Sequence, residues 1–227
     1  MKKIFFLVMV LCMLASPLYA SIYTINDDYI GWDDSRDLIG SSLYQIYGMD
    51  VSFSAGYMDV KVYTNFKEPD NTFKVLYGDL FISTDGWNPY GAAPYYDDKA
   101  SNGEDWEFVF DTSEGVLYGG DFTILYSDDY FGSTNYTFRN GQEVTRGAGG
   151  TPYAGSSVDL SNVGTYLEYS ILLSSLGNPT DIGLKWSETC ANDSIEGAAV
   201  VPEPSTFFLL GGGLAGLAFV VRRKKKS

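Results

Sequence analysis

The sequence contains no histidine, and this absence excludes several kinds of functional site. Ser-His-Asp and Cys-His catalysis, histidine-ligated zinc and histidine-ligated haem all need an imidazole. Cysteine is almost as scarce, because Cys12 lies in an N-terminal apolar run and Cys190 is the only other one. If that apolar run is removed, one cysteine remains and no intrachain disulfide can form. The segment between the two chain ends must therefore be stabilised by its core.

Basic residues are also scarce between Ser21 and Val201. This segment holds eight of the 15 Lys and Arg residues and 28 of the 29 Asp and Glu residues, so its formal charge is −20. Such a surface repels polyanions, and we expect neither nucleic acid nor an anionic membrane surface as a partner. The acidic surface favours solubility and gives the segment a capacity for divalent cations.

The N-terminus has the features of a secretory signal peptide. Lys2 and Lys3 precede the apolar run Ile4 to Leu14, and Ala20 offers a small residue at the cleavage position. We predict a signal peptide at residues 1–20, removed by signal peptidase, and a mature chain that begins at Ser21.

The C-terminus has three parts. Pro202-Glu203-Pro204 ends a predicted linker at residues 191–205, and residues 206–221 carry no charge and span about 24 Å as a helix. Residues 222–227 contain five consecutive cations, which place the C-terminus in the cytoplasm by the positive-inside rule. The sequence therefore predicts one transmembrane helix at 206–221 with a basic cytoplasmic tail.

This tail resembles the PEP-CTERM sorting signal of Gram-negative bacteria. The motif corresponds to Pro202, Glu203 and Pro204, followed by the apolar run and the basic block. The resemblance implies recognition by a membrane-embedded exosortase, which processes the chain near the motif. It also implies that the exported domain is held at the inner membrane and then passes to the outer surface or extracellular matrix.

The segment between the ends has the period-2 alternation of β-strands. Met58, Val60 and Val62 alternate with polar residues, and the same pattern recurs at 106–111 and 167–171. We predict an all-β fold, an antiparallel, jelly-roll-like β-sandwich at residues 21–190. A short helical turn is expected at Leu173 to Gly177, and the Gly-rich stretch 147–155 is predicted to be a surface loop.

The order of strands and loops is similar to that of family 9 carbohydrate-binding modules and DOMON-type domains. The likeness is carried by Gly78 to Ile82, Asp105 to Asp111 and Tyr169 to Leu173, and it spans Val60 to Trp186. It implies a carbohydrate-binding sandwich. The stretch Gly183 to Gly197 is also similar to one that recurs in PEP-CTERM proteins, without indicating a ligand.

The loop from Ser83 to Trp106 is the richest candidate site. Its aromatic residues can stack on the apolar faces of sugars while neighbouring polar groups bond the hydroxyls. Alternatively, these rings close one end of the core. The candidate ligand-binding residues are Trp87, Tyr90, Tyr95 and Tyr96.

The same loop carries the oxygen ligands that Ca²⁺ prefers. Their spacing is not that of an EF-hand, and a solvated acidic loop explains the composition as well as a structural calcium site does. No cofactor is required by the sequence. The candidate calcium ligands are Asp85, Asp97, Asp98, Asn102, Glu104 and Asp105.

No catalytic motif is present, so we predict that the protein is not an enzyme. The sequence favours a surface or matrix protein whose domain binds extracellular polysaccharide. One alternative is a structural or adhesive matrix protein without a small ligand. Another is a glycoside hydrolase that uses a carboxylate pair such as Glu104 and Glu107.

Overall fold

The computed structural model describes residues 22–27, 38–67, 74–90, 103–131, 138–139 and 141–202. Residues Ser21–Val201 group into one compact unit. The predicted signal peptide, the predicted membrane helix and the basic tail lie outside the described residues. Among the residues that are described, no helix has the length and apolar character that a membrane span requires.

Two antiparallel sheets form the domain, and the described residues contain eleven strands. The five-stranded sheet has the order β1-β2-β3-β9-β8, and the six-stranded sheet has the order β11-β10-β4-β5-β6-β7. The prediction of an all-β sandwich is confirmed. The strands are β1 (Ile22–Ile25), β2 (Ile46–Ser54), β3 (Tyr57–Thr64), β4 (Leu80–Ser83), β5 (Phe108–Asp111), β6 (Val116–Tyr126), β7 (Glu143–Tyr153), β8 (Ser157–Asp159), β9 (Tyr166–Leu172), β10 (Asp181–Ser187) and β11 (Ser194–Val200).

Alternation along the strands produces the core between the sheets. Val60 pairs with Tyr169 of the neighbouring strand, and both are fully buried. On the six-stranded sheet, Leu184 and Trp186 of β10 are buried in the same core. Because consecutive strand residues point to opposite faces, Lys185 between them must point away from this core.

Helical structure is limited to short pieces in the described part of the chain. A five-residue helix, α1 (Ser127–Phe131), follows β6, and 3₁₀ turns occur at Ser42–Tyr44 and Leu173–Leu176. The second turn matches the predicted one. It ends at Gly177, which adopts a left-handed backbone conformation with φ of 80°.

Two sequence predictions about loops are wrong. The sequence predicts a linker at residues 191–205, but Ser194–Val200 forms β11 and pairs with β10 along its whole length. The stretch 147–155 was assigned to a loop, but it is largely the second half of β7. Gly149 and Gly150 have φ values of 82° and 81°, and the pairing of β7 with β6 shifts register near them. These glycines therefore allow bulges within the strand.

The outer faces of the two sheets differ. The outer face of the five-stranded sheet, here called the open face, carries a row of polar residues that are exposed or half-buried: Thr24, Asp50, Lys61, Glu168 and Asp159. The outer face of the six-stranded sheet, here called the covered face, bears a second buried cluster of Phe81, Trp106 and Val109. The covered face therefore lies beneath other parts of the chain.

Asp79, directly before β4, accepts hydrogen bonds from the start of β7 and from the residue that follows β5. Its Oδ2 accepts hydrogen bonds from the Arg146 backbone N–H and the Thr145 hydroxyl, both at 2.7 Å. Its Oδ1 accepts a third from the Thr112 N–H at 2.9 Å. Burial raises the pKa of Asp79 from 3.8 to about 6, although these donors act in the opposite direction.

Replacing Asp79 with asparagine should lower the free energy of unfolding by about 1–3 kcal/mol, because the amide NH₂ must face one of the N–H donors. Equilibrium urea unfolding measures this change. The control is Asp159→Asn, since Asp159 is exposed and accepts a single backbone bond from Ser161. Equal stability of the two variants would show that the Asp79 bonds do not stabilise the fold.

Candidate functional site

The described parts of the β4–β5 loop, residues 84–90 and 103–107, lie against the covered face and include Trp87 and Tyr90 of the predicted aromatic site. Gly86 forms a bridge with Ile182 of β10. A side chain at Gly183 would place its Cβ 2.7 Å from the Gly86 carbonyl oxygen, so glycine is needed for this close approach. Thr84 is held at the other end by its N–H, which donates to Glu107 at 2.8 Å.

Tyr90 and Gly103 close the base of this loop. The Tyr90 N–H donates to the Gly103 carbonyl at 2.6 Å, and the Gly103 N–H donates back at 3.1 Å. The Tyr90 side chain remains 43% exposed. A ring at this position is thus presented to solvent from a fixed backbone.

Trp87 is half-buried and serves two purposes. Its ring packs against the cluster of Phe81, Trp106 and Val109, and its indole N–H donates to Glu196 Oε2 at 3.0 Å. The ring therefore has a fixed orientation before any ligand arrives. It also contributes to the packing of the covered face, as the alternative interpretation of the sequence expected.

Glu196 connects Trp87 to a buried ionic cluster. The ammonium group of Lys185 lies 2.7 Å from Glu196 Oε1 and 2.8 Å from Glu143 Oε2. It also donates to the Gln142 side-chain oxygen at 2.9 Å. Lys185 is fully buried, and this requires the paired carboxylates, because an uncompensated buried charge is costly.

No sequence pattern indicates this cluster. Alternation correctly places Lys185 on the outer face of β10, where a lysine is normally solvated. Glu196 is its direct partner on β11, but Gln142 and Glu143 come from the start of β7, at the other end of the sheet order. No local pattern contains the contact with β7.

Glu104 lies beneath the aromatic loop and is only 7% exposed. Its Oε2 accepts a short hydrogen bond from the Asn88 N–H, and its Oε1 accepts one from the Asp105 N–H at 3.1 Å. Burial raises the pKa of Glu104 from 4.5 to about 7, and the Asp85 and Glu196 carboxylates add to the rise. Its side chain therefore holds the backbone of the loop.

Only three of the six predicted calcium ligands lie among the described residues. Asp85 and Asp105 are exposed, Glu104 is buried, and Asp97, Asp98 and Asn102 lie outside the described residues, as do Tyr95 and Tyr96. Within the described ranges, no three His, Cys, Asp or Glu side chains are arranged to hold a metal ion. The calcium site stays a prediction.

The open face offers a second group of rings that the sequence analysis did not single out. Tyr63 and Tyr166 meet edge to face with centroids 6.0 Å apart, and Lys61 Nζ lies 4.9 Å from the Tyr166 centroid. Lys61 also pairs with Glu168 at 3.6 Å. These contacts hold the Tyr63 and Tyr166 rings against the sheet surface, whereas Tyr47 of β2 is 60% exposed and its hydroxyl accepts a hydrogen bond from Asn65 at 2.7 Å.

The loop between β10 and β11 is buried rather than exposed. Asp193 Oδ2 accepts the Ile46 N–H at 2.7 Å and so joins this loop to the other sheet. Neither carboxylate oxygen of Glu188 has a hydrogen-bond partner among the described residues, and burial raises its pKa well above the ordinary value. Burial likewise raises the pKa of the Cys190 thiol, and Glu188 adds to the effect.

Cys190 should not react with a thiol reagent in the native protein, because it is 2% exposed and its thiolate is disfavoured. Reaction with dithionitrobenzoate, followed by absorbance, should require denaturant and then modify one thiol per mature chain. Rapid modification under native conditions would contradict the packing described for this loop.

Glu104 should make stability depend on pH. Its pKa is higher in the folded state than the ordinary value of 4.5, so the folded chain binds more protons between about pH 4.5 and pH 7. This contribution to the free energy of unfolding should therefore be present below about pH 4.5 and be lost as the pH rises through about 7.

Urea unfolding across this range provides the measurement. The Glu104→Gln variant should show a shallower decline with pH than the wild type, whereas Asp121→Asn, on the exposed part of β6, should keep the wild-type slope. An unchanged slope in Glu104→Gln would refute the assignment.

Comparison with known proteins identifies the C-terminal segment. A family model described as the PEP-CTERM protein-sorting motif matches residues 200–224. This range contains Pro202, Glu203 and Pro204, of which Pro202 is the last described residue. No curated protein and no solved structure matches the chain, so the similarity to carbohydrate-binding and DOMON-type domains stays a prediction. The chain therefore carries a PEP-CTERM sorting motif, which supports an exported protein that is sorted by exosortase.

Proposed function

We propose that the exported domain is a non-catalytic binding module for an extracellular polysaccharide and that it binds through the β4–β5 loop. The observation that carries this proposal is the exposed ring of Tyr90 on a backbone closed by two hydrogen bonds to Gly103. A ring that is already ordered loses little conformational entropy on binding, which favours affinity.

Trp87 and two polar residues complete the proposed surface. Trp87 has its orientation fixed by Glu196, and the exposed Asp85 and Asn88 lie on either side of it in the sequence. Asp85 accepts a hydrogen bond from the Ser83 hydroxyl at 2.8 Å, and Asn88 donates to the Asp85 carbonyl at 2.7 Å. Rings with neighbouring amide and carboxylate groups suit a sugar, whose faces are apolar and whose edges carry hydroxyls.

The charge of the domain narrows the ligand class. With a formal charge of −20 between Ser21 and Val201, the domain repels acidic polymers. We therefore propose a neutral polysaccharide. A structural calcium ion in the same loop is a separate proposal, which rests on Asp97, Asp98 and Asn102.

Carboxylate catalysis is not part of this proposal. Glu104 binds the Asn88 and Asp105 N–H groups, and Glu107 binds the backbone and hydroxyl of Thr84. Both candidates for a hydrolase pair thus hold the loop in place. Stacking of a sugar on the aromatic rings does not require a free carboxylate.

Retention on insoluble neutral glucans, chitin and mannan, with and without a calcium chelator, tests the proposal for the unit Ser21–Val201. Tyr90→Ala should weaken retention about tenfold or more, equivalent to about 1.4 kcal/mol. Its melting temperature should stay within a few degrees of the wild type, because the ring is exposed and the backbone bonds remain.

Tyr166→Ala on the open face is the matched control and should retain wild-type binding. Trp87→Phe keeps a ring but loses the bond to Glu196, and so separates stacking from orientation. Trp87→Ala is a poor probe, since it also removes packing from the covered face. If none of these polysaccharides retains the wild type, or if Tyr90→Ala binds normally, the structural or adhesive alternative is favoured.

A further inference from the structure

The cluster around Lys185 brings a nucleophile and an acyl group together in a fully buried part of the fold. Lys185 and Gln142 are both fully buried, and Nζ lies 2.9 Å from the Gln142 side-chain oxygen. The amide carbon Cδ is bonded to that oxygen, so it lies within about 4 Å of Nζ. This separation approaches the distance at which bound reactants can combine.

Two acids flank the same amine. Glu196 Oε1 and Glu143 Oε2 lie 2.7 Å and 2.8 Å from Nζ, and both residues are at most 6% exposed. A lysine is nucleophilic only when neutral, and a buried carboxylate in contact with it can take its proton. Here a proton acceptor is in place on two sides of the amine.

We propose that Lys185 and Gln142 form an intramolecular isopeptide bond in the folded chain. One glutamate takes a proton from the Lys185 ammonium, and the neutral Nζ attacks Cδ of Gln142. A new C–N bond forms, the bond from Cδ to Nε2 breaks, and the second glutamate moves a proton from Nζ to the leaving nitrogen. One ammonia molecule is released, and no oxidant or other co-reactant is needed.

The charge balance of the cluster favours this step in a buried site. One cation and two carboxylates carry a net charge of −1 before the reaction. Afterwards one glutamate keeps the proton from Lys185 and the other remains ionised, so the net charge is again −1. The carboxylic acid can then donate to the new carbonyl, and the new N–H can donate to the carboxylate, so the buried groups can remain satisfied.

The bond would join parts of the chain that the sheet does not pair directly. Lys185 belongs to β10, whereas Gln142 directly precedes β7, at the far edge of the sheet order. The mature chain has no disulfide to serve this purpose, because Cys190 is its only cysteine. A covalent tie of this kind constrains the unfolded chain, as a disulfide does.

Tryptic digestion of the denatured full chain, followed by mass spectrometry, tests the proposal directly. Trypsin cleaves after Arg139 and Arg146 but not after an acylated lysine. The expected product is residues 140–146 joined to residues 147–222, lighter than the two peptides by one ammonia; processing at the sorting motif would shorten its C-terminal end. Lys61, which pairs with Glu168 but with no carboxamide in the described structure, is the internal control and should be cleaved.

Three variants separate the chemistry from folding. Lys185→Arg keeps the cation between the glutamates but cannot form the bond, so the joined peptide should vanish while circular dichroism remains native. Gln142→Leu should abolish it as well. Glu196→Gln should reduce the joined fraction at least tenfold at early times after folding. Cleavage after Lys185 in the wild type, with a free 140–146 peptide, would refute the proposal whatever the variants show.

Discussion

The burial of one positive charge, that of Lys185, in a strongly acidic domain connects the separate parts of the covered face. β10 supplies the cation, β11 and the start of β7 supply the two carboxylates, and the β4–β5 loop is attached through the indole of Trp87. Moving β7, β10 or β11 away would leave a buried charge with fewer partners. The outer layer of the six-stranded sheet thus depends on this ion cluster and on the packing of Phe81, Trp106 and Val109, while the core between the sheets depends on apolar burial.

Buried acids recur on this scaffold, and they act mainly on the backbone. Three of them, Asp79, Glu104 and Asp193, accept hydrogen bonds from backbone N–H groups in loops or at strand ends. A carboxylate can accept several such bonds at once, which compensates in part for its desolvation. The acidic composition therefore has a structural role in addition to keeping the exported domain soluble. The raised pKa values of Asp79 and Glu104 follow from the same placement.

The two described rings of the aromatic loop have different surroundings. Trp87 packs on the covered face and is bound to Glu196, as expected for a ring that closes the structure. Tyr90, three residues later, forms the bridge to Gly103 and is exposed. A binding surface at this point would rest on a rigid base, which is the usual arrangement for functional loops.

Much of the fold followed from local patterns. Alternation at 58–62 and 167–171 identified β3 and β9, and the apolar and glycine pattern at Leu173 to Gly177 identified the 3₁₀ turn. The same reasoning failed at 147–155 and 191–200, where Gly, Ala and Ser lack strand propensity but pairing with β6 and β10 imposes a strand. Strand propensity predicts poorly where a partner strand supplies the hydrogen bonds. It also fails where close packing requires a small residue, as at Gly197 beneath Ile25.

The sequence alone determined the sorting motif, the absence of imidazole chemistry and the all-β sandwich, because these follow from composition and short periodic patterns. Only the tertiary structure decided which polar residues are buried together. Glu196 is the direct cross-strand partner of Lys185, but Glu143 is separated from Lys185 along the chain by β8 and β9, and its contact with Lys185 depends on how the start of β7 packs against β10. Because side-chain solvation is set by what covers a residue, no local pattern could have distinguished this lysine from a solvated one.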